Sequence, residues 1–203
     1  METLLMFARE PIPGQVKTRL AARLGAEPAA RLYGAFISDL VETMQAGPHR
    51  LVLVVTPADA VPRFSAWYGV ETWPQADGDL GCRMAAALSQ ALPGKAVLIG
   101  SDLPHMPLSR PRSAFAALDD HDVVLGSTED GGYDLVGMKA PLDIFSGMRW
   151  SHAAVLSDTL ARCTPYRTQV LEQTFDVDDF ADVRRLTTMP LGRHTRRALD
   201  NLA

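Results

Sequence analysis

Thiols are scarce in this chain. Among 203 residues there are two cysteines, Cys82 and Cys163, without the spacing of a metal site. Each reads as a small buried apolar residue, so neither a disulfide framework nor a thiolate centre is expected to organise the fold. Long apolar runs are missing as well. No stretch approaches the ~20 residues of a membrane-spanning helix, and no membrane span is expected. An excess of positive charge is also lacking: 20 basic residues against 24 acidic ones leave a net charge of -4. That gives no basic face for a nucleic-acid partner, whereas a small phosphorylated ligand needs only a few local cations. There is no internal repeat, low-complexity tract or Gly/Ser-rich linker, and a single domain over residues 1–203 is expected. The opening Met1–Phe7 has neither a basic leader nor a small-residue cleavage site. It reads as a first strand, and the expected location is the cytoplasm.

What the chain does contain is an ordinary globular composition, 47% apolar and 22% charged, arranged in alternating patterns. Short apolar runs at Leu51–Val55, Ala96–Ile99 and Val123–Gly126 suit strands buried on both faces of a parallel sheet, with Val70–Trp73 a weaker one. Between them lie helical stripes. The clearest runs from Pro28 to Gln45, where Leu32, Phe36, Leu40 and Met44 recur at steps of four with Tyr33, Ile37 and Val41 beside them, and all read as core. Shorter helices are expected over Asp59–Trp67, after Asp79, over Ser109–Leu118, and over Ala153–Arg162 with Ser151 as its cap. Leu191–Leu202 reads as a basic surface helix without chemistry. Strand and helix alternation of this kind predicts an α/β three-layer sandwich with a mainly parallel central sheet.

Open parallel sheets bind ligands beyond the carboxyl ends of their strands. Asp102, in Gly100-Ser101-Asp102-Leu103-Pro104 after the Ala96–Ile99 run, is therefore placed at the mouth of a cleft. There it can take a hard cation such as Mg²⁺ that bridges to phosphate oxygens, or it can simply cap a following helix. The Pro/Gly loop Ala8–Leu20 delivers Lys17 and Arg19 to a helix start, an arrangement that suits an anion and equally a solvated basic face. Neither Walker A nor dinucleotide-fingerprint spacing is present. Gln75 and Asp79 have the groups to read a base or sugar edge, and Asp79 also suits a helix cap. Glu129-Asp130-Gly131-Gly132-Tyr133 either brings a ligand close to glycine backbone or makes a plain hairpin turn. Asp176 and Asp178 share one face if their segment is extended, and there they complete the shell of a metal at Asp102. In a helix's first turn the dipole would favour them anyway.

Phe7–Leu20, Gly100–Pro104, Glu129–Tyr133 and Trp150-Ser151 together resemble a family of small bacterial glycosyltransferase-like proteins, of the arsenosugar-biosynthesis or selenodomain-associated transferase type. The likeness runs from about Met1 to Leu186 and implies a nucleotide-diphospho-sugar transferase fold of the GT-A type. It implies that Lys17 and Arg19 hold nucleotide phosphates, that Gln75 and Asp79 lie near the base or ribose, and that Asp102 binds Mg²⁺ or Mn²⁺. Asp130, with Gly131 and Gly132, would form the floor for the second substrate. Arg9 and Gly14 of the first motif, and Trp150 and Ser151 of the fourth, complete the expected nucleotide-binding set. Lys17, Asp102 and Asp130 are the catalytic candidates. The opening loop's Lys-x-Arg-Leu ending is more distantly similar to 2-phospho-lactate guanylyltransferase, but the Ala-Gly-Gly-x-Gly loop of molybdenum-cofactor and sugar nucleotidyltransferases is missing. The expected activity is metal-dependent glycosyl transfer from a nucleotide sugar to a small-molecule acceptor. Nucleotidyl transfer from a nucleoside triphosphate to a small phosphorylated substrate, and nucleotide binding without catalysis, are the competing classes.

Overall fold

The computed structural model describes residues 1–202. Seven strands form one sheet: β1 (Glu2–Arg9), β2 (Arg50–Thr56), β3 (Glu71–Pro74), β4 (Lys95–Ile99), β5 (Val123–Thr128), β6 (Tyr133–Met138) and β7 (Thr168–Thr174). Their order across the sheet is β3-β2-β1-β4-β6-β5-β7. β6 runs antiparallel to β4 and β5, while the other neighbouring pairs are parallel. The exception follows from chain length. Only four residues separate Thr128 from Tyr133, enough for a hairpin and far too few for a parallel crossover.

Helices cover both faces of the sheet. They are α1 (Thr18–Leu24), α2 (Ala26–Gln45), α3 (Val61–Tyr68), α4 (Leu80–Ala91), α5 (Ser109–Asp120), α6 (Val155–Arg162), α7 (Phe180–Leu186) and α8 (Arg193–Asp200). The apolar period of β1 explains why two cores form. Leu4, Met6 and Ala8 enter one core with Leu32, Phe36, Leu40 and Met44 of α2, whereas Leu5 and Phe7 enter the other with Met84 and Leu88 of α4. Successive strand side chains point to opposite faces, so a strand buried on both sides must be apolar throughout. The expected sandwich with a mainly parallel sheet is what forms.

Some expectations need correction. β7 is an unanticipated edge strand, and side chains blunt its free edge. The Val170 carbonyl accepts from the Gln169 side-chain amide at 2.9 Å, and the Glu172 carbonyl accepts from Arg110 Nη1 at 2.9 Å. α8 is the basic surface helix expected, and its start is tied to α2. Both carboxylate oxygens of buried Asp39 on α2 accept N–H bonds at its start, from His194 at 3.0 Å and Thr195 at 2.7 Å. Ser151 does not cap α6, whose N-cap is Ala154; Ser151 instead takes a left-handed φ of 63°. Among the described residues, no helix is long and apolar enough to cross a membrane.

Candidate active site

β1 pairs with β2 on one side and β4 on the other, so the chain's two halves diverge from this point and leave a crevice beyond the strand ends. Arg9 ends β1, Gln75 follows β3, Asp102 follows β4, and Asp176 and Asp178 follow β7. The β5–β6 turn adds Asp130 and Gly132. These residues, with Arg19, Trp150 and Ser151, line a single cavity of about 700 Å³. A smaller cavity of about 400 Å³ adjoins it, where Lys17 joins Arg9, Arg19, Asp102 and Asp178.

Lys17 ties the acidic loops together. It is the N-cap residue of α1 with φ 46° and ψ 47°, and it makes no side-chain cap. Its ammonium reaches Asp102 Oδ1 at 2.6 Å, Asp178 Oδ1 at 3.0 Å and the Val177 carbonyl at 2.7 Å. The contacts with Asp178 and the Val177 carbonyl are hydrogen bonds, and that with Asp102 is a close ion pair. The Lys17 side chain is 6% exposed, against 43% for Asp102 and 45% for Asp178. A surface charge would not sit this way. The two carboxylates hold the Lys17 pKa above its ordinary value against the opposing effect of burial, which is the largest single influence on it. Arg19 remains at the rim, 77% exposed and 3.6 Å from Asp178 Oδ2.

Capping, the competing role for several acids, falls to other residues. α5 begins at Ser109 with Leu108 as its N-cap, so Asp102 caps no helix. α7 is capped by Asp179, with Asp182 completing a capping box. That leaves Asp176 and Asp178 free of helix duty. Asp79, by contrast, is the N-cap of α4, accepting from the Cys82 N–H at 2.9 Å, and this bond holds its carboxyl below the usual range.

Asp176 is partly buried, and its carboxyl is pushed up to about 8, first by burial and then by the charges of Asp102, Asp130, Asp178 and Asp134. Tyr33, expected only as core, reaches into the site: its hydroxyl pairs with Ser101 Oγ at 2.7 Å and accepts the Arg9 N–H at 3.1 Å. Burial, then the Asp102 charge, lifts that phenol to about 12. Asp130 Oδ1 accepts from Thr128 Oγ1 at 2.6 Å and from the Gly132 N–H at 3.0 Å. Asp134, also at the cavity wall, has its side chain fully buried in a two-pronged pair with Arg110, at 2.6 and 2.7 Å.

Two glycines of the expected set have other tasks. Gly131, at φ 87°, packs so tightly that a Cβ would overlap the Ala153 carbonyl oxygen. Its own carbonyl accepts from Leu156 N at 2.9 Å, docking the hairpin turn onto the start of α6. Gly14, at φ 78°, turns the opening loop with open space around it. Gln75 lines the cavity with its amide nitrogen committed to the Ala8 and Val54 carbonyls, at 3.4 and 3.1 Å. Arg83 and His152 also line the cavity, though nothing in their sequence surroundings marks them.

An all-oxygen set such as Asp102, Asp130, Asp176 and Asp178 has the chemistry of a hard divalent cation's ligands. They are more widely spread than a closed metal cage. Among the described residues, the trio of possible ligands with atoms within 4.8 Å of one another is Asp39, Glu42 and His194. There Asp39 fastens α8 and Glu42 pairs with Arg193 and His194, so fold contacts explain the cluster.

The sheet order and the strand-end cavity define a nucleotide-diphospho-sugar transferase-like fold. The chain belongs to the family described as "Uncharacterized protein conserved in bacteria (DUF2064)", whose sequence profile matches residues 40–152. That span includes Asp102 and the Asp130 turn but neither Lys17 nor Asp176. A Desulfovibrio desulfuricans G20 protein, provisionally assigned as a nucleotide-diphospho-sugar transferase, is 31% identical. Its structure superposes with a TM-score of 0.91 over 99% of this chain and 96% of that one. A Leptospira borgpetersenii cytidylyltransferase shares the fold at 12% identity, with a TM-score of 0.63 over 99% of this chain and 93% of that one. The inositol-1-phosphate CTP transferase from T. maritima does so at 15% identity, with a TM-score of 0.58 and coverage of 99% and 95%. Comparison with curated protein sequences gives no match.

Proposed function

We propose that this protein is a divalent-cation-dependent transferase that binds a nucleotide-diphospho-sugar and transfers the glycosyl group to a small-molecule acceptor. The observation that carries this reading is the convergence of four carboxylates, Asp102, Asp130, Asp176 and Asp178, around one cavity whose rim bears Arg9 and Arg19. Burial, and then the repulsion of the neighbouring acids, pushes the Asp176 carboxyl up to about 8, and a bound cation would relieve that repulsion.

Asp102, Asp176 and Asp178 would hold Mg²⁺ or Mn²⁺. When bound, such an ion supplies charge that stabilises a departing diphosphate. Arg9 and Arg19 are placed to donate to phosphate oxygens from the rim, where Arg offers a two-pronged grip. The nucleotide's base or ribose would lie toward Gln75, whose amide nitrogen is pinned and whose oxygen accepts a long bond from Arg83 Nη1 at 3.5 Å and keeps a second lone pair for the ligand. Asp130, its Oδ1 already holding the turn, would use its other oxygen to accept the proton of the acceptor's hydroxyl. Trp150 and Ser151 would close the wall over the sugar.

The relative of 31% identity supports sugar-nucleotide chemistry. Nucleotidyl transfer is the second reading, favoured by the fold shared with cytidylyltransferases. Incubation with nucleotide sugars or nucleoside triphosphates, with and without Mg²⁺ or Mn²⁺, separates the two. Release of a nucleoside diphosphate supports glycosyl transfer, while pyrophosphate release would replace it with nucleotidyl transfer. Metal-independent nucleotide binding without turnover would point to a binding protein.

A further inference from the structure

We propose that Lys17 is the internal counter-cation of the acidic cavity, so that its ammonium and a divalent ion compete for the charge of Asp102 and Asp178. The inference rests on the metal-dependent reading above and assigns Lys17 a part different from phosphate binding. The Lys17 side chain is 6% exposed beside partners that are 43% and 45% exposed, and it lines the smaller cavity while the two carboxylates line both. Each carboxylate meets Lys17 through its Oδ1 while the residue also lines the larger cavity, and Asp178 Oδ2 lies 3.6 Å from Arg19. Tyr33 flanks the ammonium, with its ring centroid 5.9 Å away.

Charge is what Lys17 adds here, because the geometry of the two loops is secured without it. The Val177 N–H donates to the Asp102 carbonyl at 3.0 Å, joining the loops through the main chain. Asp182 Oδ2 accepts from the N–H groups of Asp178 and Asp179, both at 2.9 Å, which fixes the second loop independently. Arg19 is no substitute: at 77% exposure and 3.6 Å from Asp178 it is screened by solvent. A divalent ion on the cavity side of Asp102 and Asp178 would be repelled by a buried positive charge bonded to the same carboxylates. Removing that charge should strengthen ion binding by about tenfold or more.

The test is Mn²⁺ binding to the nucleotide-free protein, followed by the electron paramagnetic resonance signal of free Mn²⁺. Parent protein is compared with Lys17→Met, Lys17→Gln and Lys17→Arg. Lys17→Gln can still donate to the Val177 carbonyl, and it stands in should Lys17→Met fail to fold. The neutral variants should bind Mn²⁺ about tenfold or more tightly than the parent. Lys17→Arg, which keeps the charge, should stay within about threefold. Mn²⁺ should also raise the Tm of the neutral variants more than that of the parent. Equal or weaker Mn²⁺ binding by the neutral variants, with the parent binding normally, would overturn the counter-cation role and leave the metal reading standing. Absence of Mn²⁺ binding in every protein would remove the metal reading and this inference together.

Discussion

Asp176 lies where burial and four neighbouring carboxylates make its ionised form costly, with a folded-state pKa of about 8 against an ordinary 3.8. A carboxyl whose pKa is raised on folding is more protonated in the native state than in the unfolded one. Its stabilising contribution is therefore complete below 3.8 and lost as pH rises toward 8. Asp176→Asn should raise Tm by roughly 3 to 6 °C at pH 8, with a smaller gain at pH 5. Thermal melts of both proteins across that range check it, and parallel slopes would contradict it. Asp102→Asn isolates the other side of the site. Lys17 keeps Asp178 and the Val177 carbonyl as partners, so the ligand-free protein should lose only ~1 kcal/mol. Mn²⁺ affinity should fall at least about tenfold, read by calorimetric titration. At this scale the sequence was only partly legible. Asp102 stood out because it follows an apolar run. Its pairing with Lys17 crosses 85 positions and has no local pattern. Tyr33 was masked by the helical stripe it belongs to, since periodicity assigns a face and says nothing of where a hydroxyl at the end of that face arrives.

Elements carry the site into place, and two contacts between them are sharply defined. The β5–β6 turn docks on the start of α6 through Gly131, which has φ 87° and no room for a Cβ beside the Ala153 carbonyl. Gly131→Ala should cost about 2 to 3 kcal/mol, from left-handed strain and overpacking together. Because the displaced segment includes Ser151 and His152 of the cavity wall, ligand affinity should fall as well. Denaturant melts and titration read the two effects. α8 depends on Asp39, which is 2% exposed and accepts two N–H bonds at that helix's start. Asp39→Ala should destabilise the protein by about 1 to 3 kcal/mol, measured by urea unfolding, with ligand binding unchanged. The buried strands were readable as short apolar runs. β7 was not, because an edge strand needs only one covered side. Thr168–Thr174 offers Val170 and Leu171 among polar residues, and its identity comes from pairing with β5. Ser151 looked like a cap because Ser is chemically suited to one, yet it takes a left-handed φ and the helix starts later, with Ala154 as its N-cap.

The whole molecule places loops from opposite ends of the chain over one crevice. The sandwich and its mainly parallel sheet could be read in advance, because alternating strands and helices restrict the topologies to a few. What topology leaves open is the charge balance inside the cleft, which depends on how far each acid is buried and which cation faces it. Calorimetric titration of nucleotide-diphospho-sugars into the parent protein, with Mn²⁺ and with a chelator, tests the proposed function most directly. At least one such ligand should bind in the micromolar range with Mn²⁺ and at least about tenfold more weakly without it. The same affinity in chelator, or no binding by any nucleotide-diphospho-sugar, would contradict a metal-dependent sugar-nucleotide site.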